Sequence, residues 1–121
     1  MRILVVDDDP RILALVRELL IGEGYEVTTA CDGACALQSA AQSPPDLILV
    51  DLRMPIMDGR EFTRTYRAQP GPHAPIIAVT ATGEADTMAS IIEADGWLTK
   101  PYDLDCLLAL VRRYEQGEEP S

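Results

Sequence analysis

The chain has 121 residues, a net charge of −10 and a pI near 4.3, a balance that argues against nucleic-acid binding by this segment, because phosphate backbones attract clustered Lys and Arg. Its length and its 47% hydrophobic content fit one packed domain, and no apolar run approaches the roughly 18 residues of a membrane span. It opens on a strand-like stretch and not on a secretory leader, so a cytoplasmic protein with no membrane partner is expected, its three cysteines kept as thiols.

Residues 3–6, ILVV, are a short continuous apolar run and predict a first strand. Asp7, Asp8 and Asp9 follow, then Pro10. An Asp before Pro at the head of an apolar-periodic segment is the pattern of an N-cap with proline at the first helical position, so Asp9 is assigned to capping. Ile12, Val16, Leu19 and Leu20 form the apolar stripe of that first helix, which ends near Gly22 and Gly24. Residues 26–30, EVTTA, are mixed in character and fit an edge strand. Gly33 reads as a turn residue before a second helix over 34–41, closed by Ser43, Pro44 and Pro45. Cys31 and Cys35 have no companion Cys or His pair to complete a zinc site and are expected to be core thiols.

Residues 47–50, LILV, predict a third strand that runs directly into Asp51. After the loop from Met54 to Met57, Asp58 is placed to cap a third helix over 59–68, with Gly59 permitting a tight approach. His73, the sole histidine, falls in PGPHAP and is expected to be an exposed loop residue. Residues 76–79, IIAV, predict a fourth strand ending at Thr80, and a weaker fourth helix is expected over 85–94. Residues 96–99, GWLT, form a fifth strand followed by Lys100 and Pro101. Leu104, Leu107, Leu108 and Val111 give a last helix its apolar stripe, with Asp103 as N-cap. From Glu115 the acidic EQGEEPS is expected to be a flexible tail, which leaves a domain over 1–114.

Five strands alternating with five helices make a repeated βα unit, with right-handed crossovers and a parallel sheet. The expected fold is α/β: a doubly wound (βα)5 three-layer sandwich. In such sheets ligands bind beyond the carboxyl ends of the strands. Asp7 and Asp8, Asp51, Thr80 and Lys100 all stand just after or at those ends. Carboxylates crowded in a partly dehydrated cleft repel one another unless protonated or bound to a cation, and an all-oxygen site suits Mg2+. Mg2+ combines protein carboxylates with phosphate oxygens, so a phosphoryl group is the natural guest. An Asp can itself be the nucleophile that accepts it. Lys100 and Thr80 would then pair with and donate to phosphoryl oxygens.

At these residues the chain strongly resembles the receiver domain of bacterial two-component response regulators. The acidic pair, DLRMPIMDG around Asp51, VTA with Thr80 and the KP dipeptide carry the resemblance, in order, each after its own strand. It implies a flavodoxin-like sheet of order 2-1-3-4-5, and it implies Asp51 as the phosphoacceptor. Asp8 would be the more direct Mg2+ ligand, with Asp7 acting largely through water and the backbone carbonyl of Arg53 completing the protein ligands. Lys100 would contact the phosphoryl group, its bond to Pro101 being cis. Thr80 would be the switch hydroxyl, and the aromatic switch position falls on Trp97. The implied partners are a sensor histidine kinase or a histidine phosphotransfer protein. Phosphorylation would act on a surface made by the fourth and fifth helices and the fifth strand, a face through which a homodimer would also form.

Two departures from the family pattern bear on that surface. Trp97 replaces the usual Tyr or Phe, and a larger indole with its own donor resists inward rotation. The stretch from Thr80 to Lys100 is slightly short, which would distort the fourth helix. These departures leave a second reading, a binding-only interaction module with an altered output face. A Mg2+ phosphohydrolase of the haloacid-dehalogenase type would need a second carboxylate two residues after the nucleophile, where this chain has Arg53. The expectation is a phosphoacceptor that assists its own modification and is not an enzyme with an external substrate.

Overall fold

Alternation of apolar side chains along the central strands decides the layering. The computed structural model describes residues 1–52, 58–81, 94–100 and 103–117, with Thr80, Ala81 and Lys100 described by backbone alone. Five strands, β1 (Arg2–Val6), β2 (Glu26–Ala30), β3 (Leu47–Asp51), β4 (Ile76–Ala81) and β5 (Gly96–Lys100), form one sheet in the order β2-β1-β3-β4-β5. Every neighbouring pair is parallel. The fold expected from the sequence, including the edge position of β2, is the fold observed.

Successive side chains of a strand point to opposite faces, and both faces of this sheet are covered. Ile3, Val5, Leu47, Leu49 and Ile77 face one side, against Val16 and Leu20 of α1 (Pro10–Gly22) and Leu107, Leu108 and Val111 of the C-terminal helix (Leu104–Glu115). Leu4, Val6, Ile48, Val50 and Ile76 face the other, against Ala36 and Ala40 of α2 (Gly33–Gln42) and Phe62 and Tyr66 of α3 (Gly59–Ala68). Double-sided burial explains why β1, β3 and β4 are apolar runs and not alternating ones. The helix expected over 85–94 lies outside the described residues except for Ala94.

Asp side chains start the four helices of the described residues. Asp9, Asp32, Asp58 and Asp103 are the N-caps of α1, α2, α3 and the C-terminal helix, each accepting a backbone amide two or three residues on. Each satisfies a donor that the first helical turn cannot. Three of these caps were foreseen. Asp32 was not, because Gly33 reads as a turn residue; it is instead the first residue of α2 and is buried.

The cysteines correct a further expectation. Cys31 and Cys35 are exposed and are not core thiols, and Cys106, for which no burial was expected, is exposed as well. Cys31 lies just beyond the end of β2, and the sheet-facing positions of α2 belong to Ala36 and Ala40, which turns Cys35 outward. Cys106 likewise precedes the buried Leu107 and Leu108. The C-terminal helix includes Glu115, whose carboxylate accepts a 3.2 Å hydrogen bond from the hydroxyl of Tyr25. Arg112 of the same helix pairs with Glu23 at 2.5 Å.

Candidate functional site

β1 and β3 lie side by side, while their onward connections lead to opposite edges of the sheet. The crevice beyond their carboxyl ends is therefore the switch point at which ligands bind in sheets of this kind. Asp7 directly follows β1 and Asp51 is the last residue of β3. Both are buried, Asp7 at 4% and Asp51 at 7% exposure, and they are two of only three polar residues in the buried set of described residues. Asp8 is exposed on the same rim. One carboxylate oxygen from each of Asp7, Asp8 and Asp51 lies within 4.8 Å of the others.

Local backbone bonding holds this arrangement. The amide of Asp7 donates to the carbonyl of Ala30 at 3.1 Å, extending the β1–β2 ladder by one residue. The Oδ1 atom of Asp7 accepts the amide of Asp9 at 2.9 Å, which fixes the turn between the strand and α1. On the β3 side, the amide of Leu52 donates to Val79 at 3.1 Å and the amide of Gly59 to Leu52 at 3.2 Å. α3 is thus seated close to Asp51, with its own first turn closed by Asp58 on the amide of Glu61 at 2.8 Å. A Cβ on Gly59 would lie well inside contact distance of the carbonyl oxygen of Asp51, with Leu52 Cα at 2.8 Å. The tight approach expected of Gly59 is therefore an approach to the main chain of Asp51 itself.

Asp9 is the carboxylate of the opening triplet that turns away. Its Oδ1 accepts the amide of Arg11 at 2.9 Å and its Oδ2 lies 3.4 Å from the Arg11 guanidinium. Hydrogen bonding to Arg11, side chain first and backbone second, holds the Asp9 carboxyl below its ordinary value of 3.8. Two of the three consecutive aspartates thus face the crevice and the third caps a helix.

The donor set in the crevice is chemically specific. Three carboxylates at this spacing repel one another, and a small hard dication removes the conflict. Oxygen-only donors fit Mg2+ and not a thiophilic ion.

Other residues singled out in the sequence fall as follows. Thr80 pairs with Thr99 and Ala81 with Lys100 in the β4–β5 ladder, so the backbones of Thr80 and Lys100 end at the same edge of the sheet as Asp51. Arg53, Pro101 and the loop from Met54 to Met57 lie outside the described residues. Trp97, on the edge strand β5, is 55% exposed. His73 is exposed, with its Nε2 atom 2.7 Å from the carbonyl oxygen of Gln69. No helix of the described residues is long and apolar enough to cross a membrane. A second group of metal-type donors, Cys31, Asp32 and Cys35, was not anticipated. Its signal was present in CDGAC, where the residue after the first Cys is a good N-cap.

Comparison with known proteins agrees with this geometry. The family model for the response regulator receiver domain matches residues 3–112. The transcriptional regulatory protein PrrA of Mycobacterium tuberculosis is 40% identical over 113 residues, which cover 92% of this chain and 48% of PrrA. The response regulator PleD of Caulobacter vibrioides is 43% identical over 114 residues, 92% of this chain and 25% of PleD. The chain therefore spans about half the length of PrrA and a quarter of PleD. Among solved structures, the chemotaxis response regulator CheY4 of Vibrio cholerae superposes with a TM-score of 0.85 at 35% identity, covering 93% of this chain and 97% of CheY4. A family match over nearly the whole chain, joined to a 2-1-3-4-5 sheet with its acidic crevice at the switch point, places this protein among the response regulator receiver domains.

Proposed function

We propose that this domain is a phosphoacceptor switch in phosphorelay signal transduction, with Asp51 as the residue modified. The observation that carries the reading is the buried Asp51 carboxylate at the end of β3, within 4.8 Å of the carboxylates of Asp7 and Asp8. A carboxylate oxygen of Asp51 attacks the phosphorus of a phosphohistidine on a sensor histidine kinase or phosphotransfer protein. The P–O bond forms as the P–N bond breaks, leaving an acyl phosphate on Asp51 and a free imidazole on the donor. Mg2+ would be held by Asp7, Asp8, Asp51 and the backbone carbonyl of Arg53 and, when bound, would supply the positive charge that lets an anionic nucleophile meet an anionic phosphoryl group.

The chain's own contribution is placement. Asp7 is held by its bonds to Ala30 and Asp9, and the backbone of Asp51 by the seating of Gly59, so the frame that carries these two carboxylates is set before a donor arrives. Lys100 pairs with the phosphoryl oxygens and Thr80 donates its hydroxyl to them. The added charge biases the face around β5 and the C-terminal helix, where Trp97 stands exposed. A cytoplasmic location and the lack of an external turnover substrate belong to the same reading, with the domain taken one residue beyond the expected limit of 114, to Glu115 at the end of the C-terminal helix.

Incubation with acetyl phosphate and Mg2+, read by intact mass, tests it. One phosphoryl adduct is expected in the unaltered chain and none in Asp51→Ala or after chelation of Mg2+. An adduct that persists in Asp51→Ala would overturn the assignment.

A further inference from the structure

We infer that Cys31, Asp32 and Cys35 form a second cation site, selective for a thiophilic divalent ion of the Zn2+ class. The two thiol sulfurs and a carboxylate oxygen of Asp32 lie within 4.8 Å of one another. Two thiolates and a carboxylate, with a fourth position open to water, are a donor set that suits tetrahedral Zn2+. Mg2+ prefers oxygen donors alone, so hardness separates this site from the acidic crevice.

The site is partly pre-arranged. Asp32 is fixed as the N-cap of α2 by the 2.8 Å bond from the Cys35 amide to its Oδ1 atom. Its Oδ2 atom lies 4.0 Å from the Cys31 sulfur. One carboxylate oxygen thus holds the helix while the other is directed toward the Cys31 thiol. Cys31 comes from the end of β2 and Cys35 from the first turn of α2, so strand and helix bring the sulfurs together without a long loop. Both are exposed although cysteine is among the most buried residue types, which leaves them open to an ion from solvent. A disulfide would use the two sulfurs and leave Asp32 only its capping role, with its second oxygen beside the Cys31 sulfur unused. The convergence of three donors favours a cation.

The position gives the site a neighbour. Cys31 follows Ala30, whose carbonyl receives the amide of Asp7. The two cation sites therefore open at the ends of adjacent strands on one rim, while remaining chemically independent.

The test uses the reduced 121-residue chain, kept in a phosphine reductant that does not compete for metal. Titration with Co2+ is expected to give a sulfur-to-cobalt charge-transfer band saturating at one ion per chain and unaffected by excess Mg2+. Zn2+ should displace it, with affinity read by competition against a chromophoric chelator. Cys31→Ser and Cys35→Ser should abolish the band. Asp32→Asn, which retains an N-cap acceptor, should weaken Zn2+ binding by at least about tenfold, on the scale seen when groups supporting a metal site are removed. Cys106→Ser and Asp51→Asn should leave the band unchanged, and circular dichroism checks that every variant folds. Absence of the band in the reduced chain, its survival in a folded Cys31→Ser, or its loss in Cys106→Ser would overturn the proposal.

Discussion

Gly59 lies so close to Asp51 that a single methyl group on Gly59 would press well inside contact distance of the Asp51 carbonyl oxygen. The start of α3 is thereby docked on the end of the strand that carries the candidate nucleophile. Gly59→Ala must move either the helix or Asp51, because both close contacts are to backbone and neither can rotate away. Overpacking of this kind costs about 1–3 kcal/mol, which urea denaturation would register as a lower midpoint. Phosphorylation by acetyl phosphate should slow in the same variant even under conditions where it is fully folded. A wild-type midpoint and rate would show that the contact does not position Asp51.

The three consecutive aspartates should separate in a Mg2+ titration. At a hundredfold excess over its Kd, an ion bound only by the folded state stabilises it by about 2.7 kcal/mol. Mg2+ should therefore raise the thermal midpoint of the unaltered chain, and most of that rise should disappear in Asp8→Asn. Asp9→Ala should do the reverse. It loses the bond to the Arg11 amide and lowers the midpoint without Mg2+, yet keeps the Mg2+-dependent rise. Because its carboxyl is held below 3.8 in the folded chain, the Asp9 cap contributes fully above that pH and is lost as pH falls through the lower folded value. The stability gap between the unaltered chain and Asp9→Ala should accordingly narrow in acid. An equal loss of Mg2+ response in the two variants would contradict the division of roles.

What could be read from the sequence follows from how each residue's role is encoded. β1, β3 and β4 were legible because burial on both faces demands unbroken apolar runs, and the last residues of such runs mark the crevice without any coordinates. Asp9, Asp58 and Asp103 were legible as caps because a helical stripe follows each. Asp32 was hidden by Gly33, a residue that signals a turn until its burial at the head of α2 is known. The cysteines misled for a different reason. Burial of Cys is a tendency of the residue type, whereas the side on which Cys35 falls depends on which face of α2 meets the sheet. Alanine at 36 and 40 decided that, and a stripe of small residues is a faint signal. The distances among Asp7, Asp8 and Asp51 were also beyond the sequence: the expected strand order makes β1 and β3 neighbours, but how closely the carboxylates approach depends on the turn after each strand.

Trp97 offers an internal probe, since the chain has one tryptophan. At 55% exposure, its emission should be that of a solvated indole and strongly quenched by acrylamide. Phosphorylation of Asp51 should leave this emission close to its starting position. An indole turned inward would have to find a partner for its N–H and a space larger than a phenol ring fills. A marked blue shift with loss of quenching on phosphorylation would show that Trp97 does rotate inward.

The hydroxyl of Tyr25 and the carboxylate of Glu115 join two points 90 residues apart in sequence. Tyr25 is buried at 7% exposure and its hydroxyl bond to Glu115 is part-buried, so removing Glu115 takes the protein acceptor from a partly shielded hydroxyl. Truncation after Gly117 should leave stability unchanged, because that bond and the Arg112 to Glu23 pair both survive. Truncation after Tyr114 removes Glu115 and should cost about 1–3 kcal/mol. Tyr25→Phe in the full chain should cost less, about 1 kcal/mol, since donor and demand vanish together. Burial, with the hydrogen bond to Glu115 second, raises the Tyr25 hydroxyl above its ordinary value of 10.0. A group with a raised folded pKa contributes fully below the unfolded value and loses that contribution as pH rises through the folded one. The stability difference between the unaltered chain and Tyr25→Phe should thus be constant up to about pH 10 and shrink or reverse above it. Equal stability of the two truncations would place Glu115 outside the folded unit and move the boundary back to Tyr114.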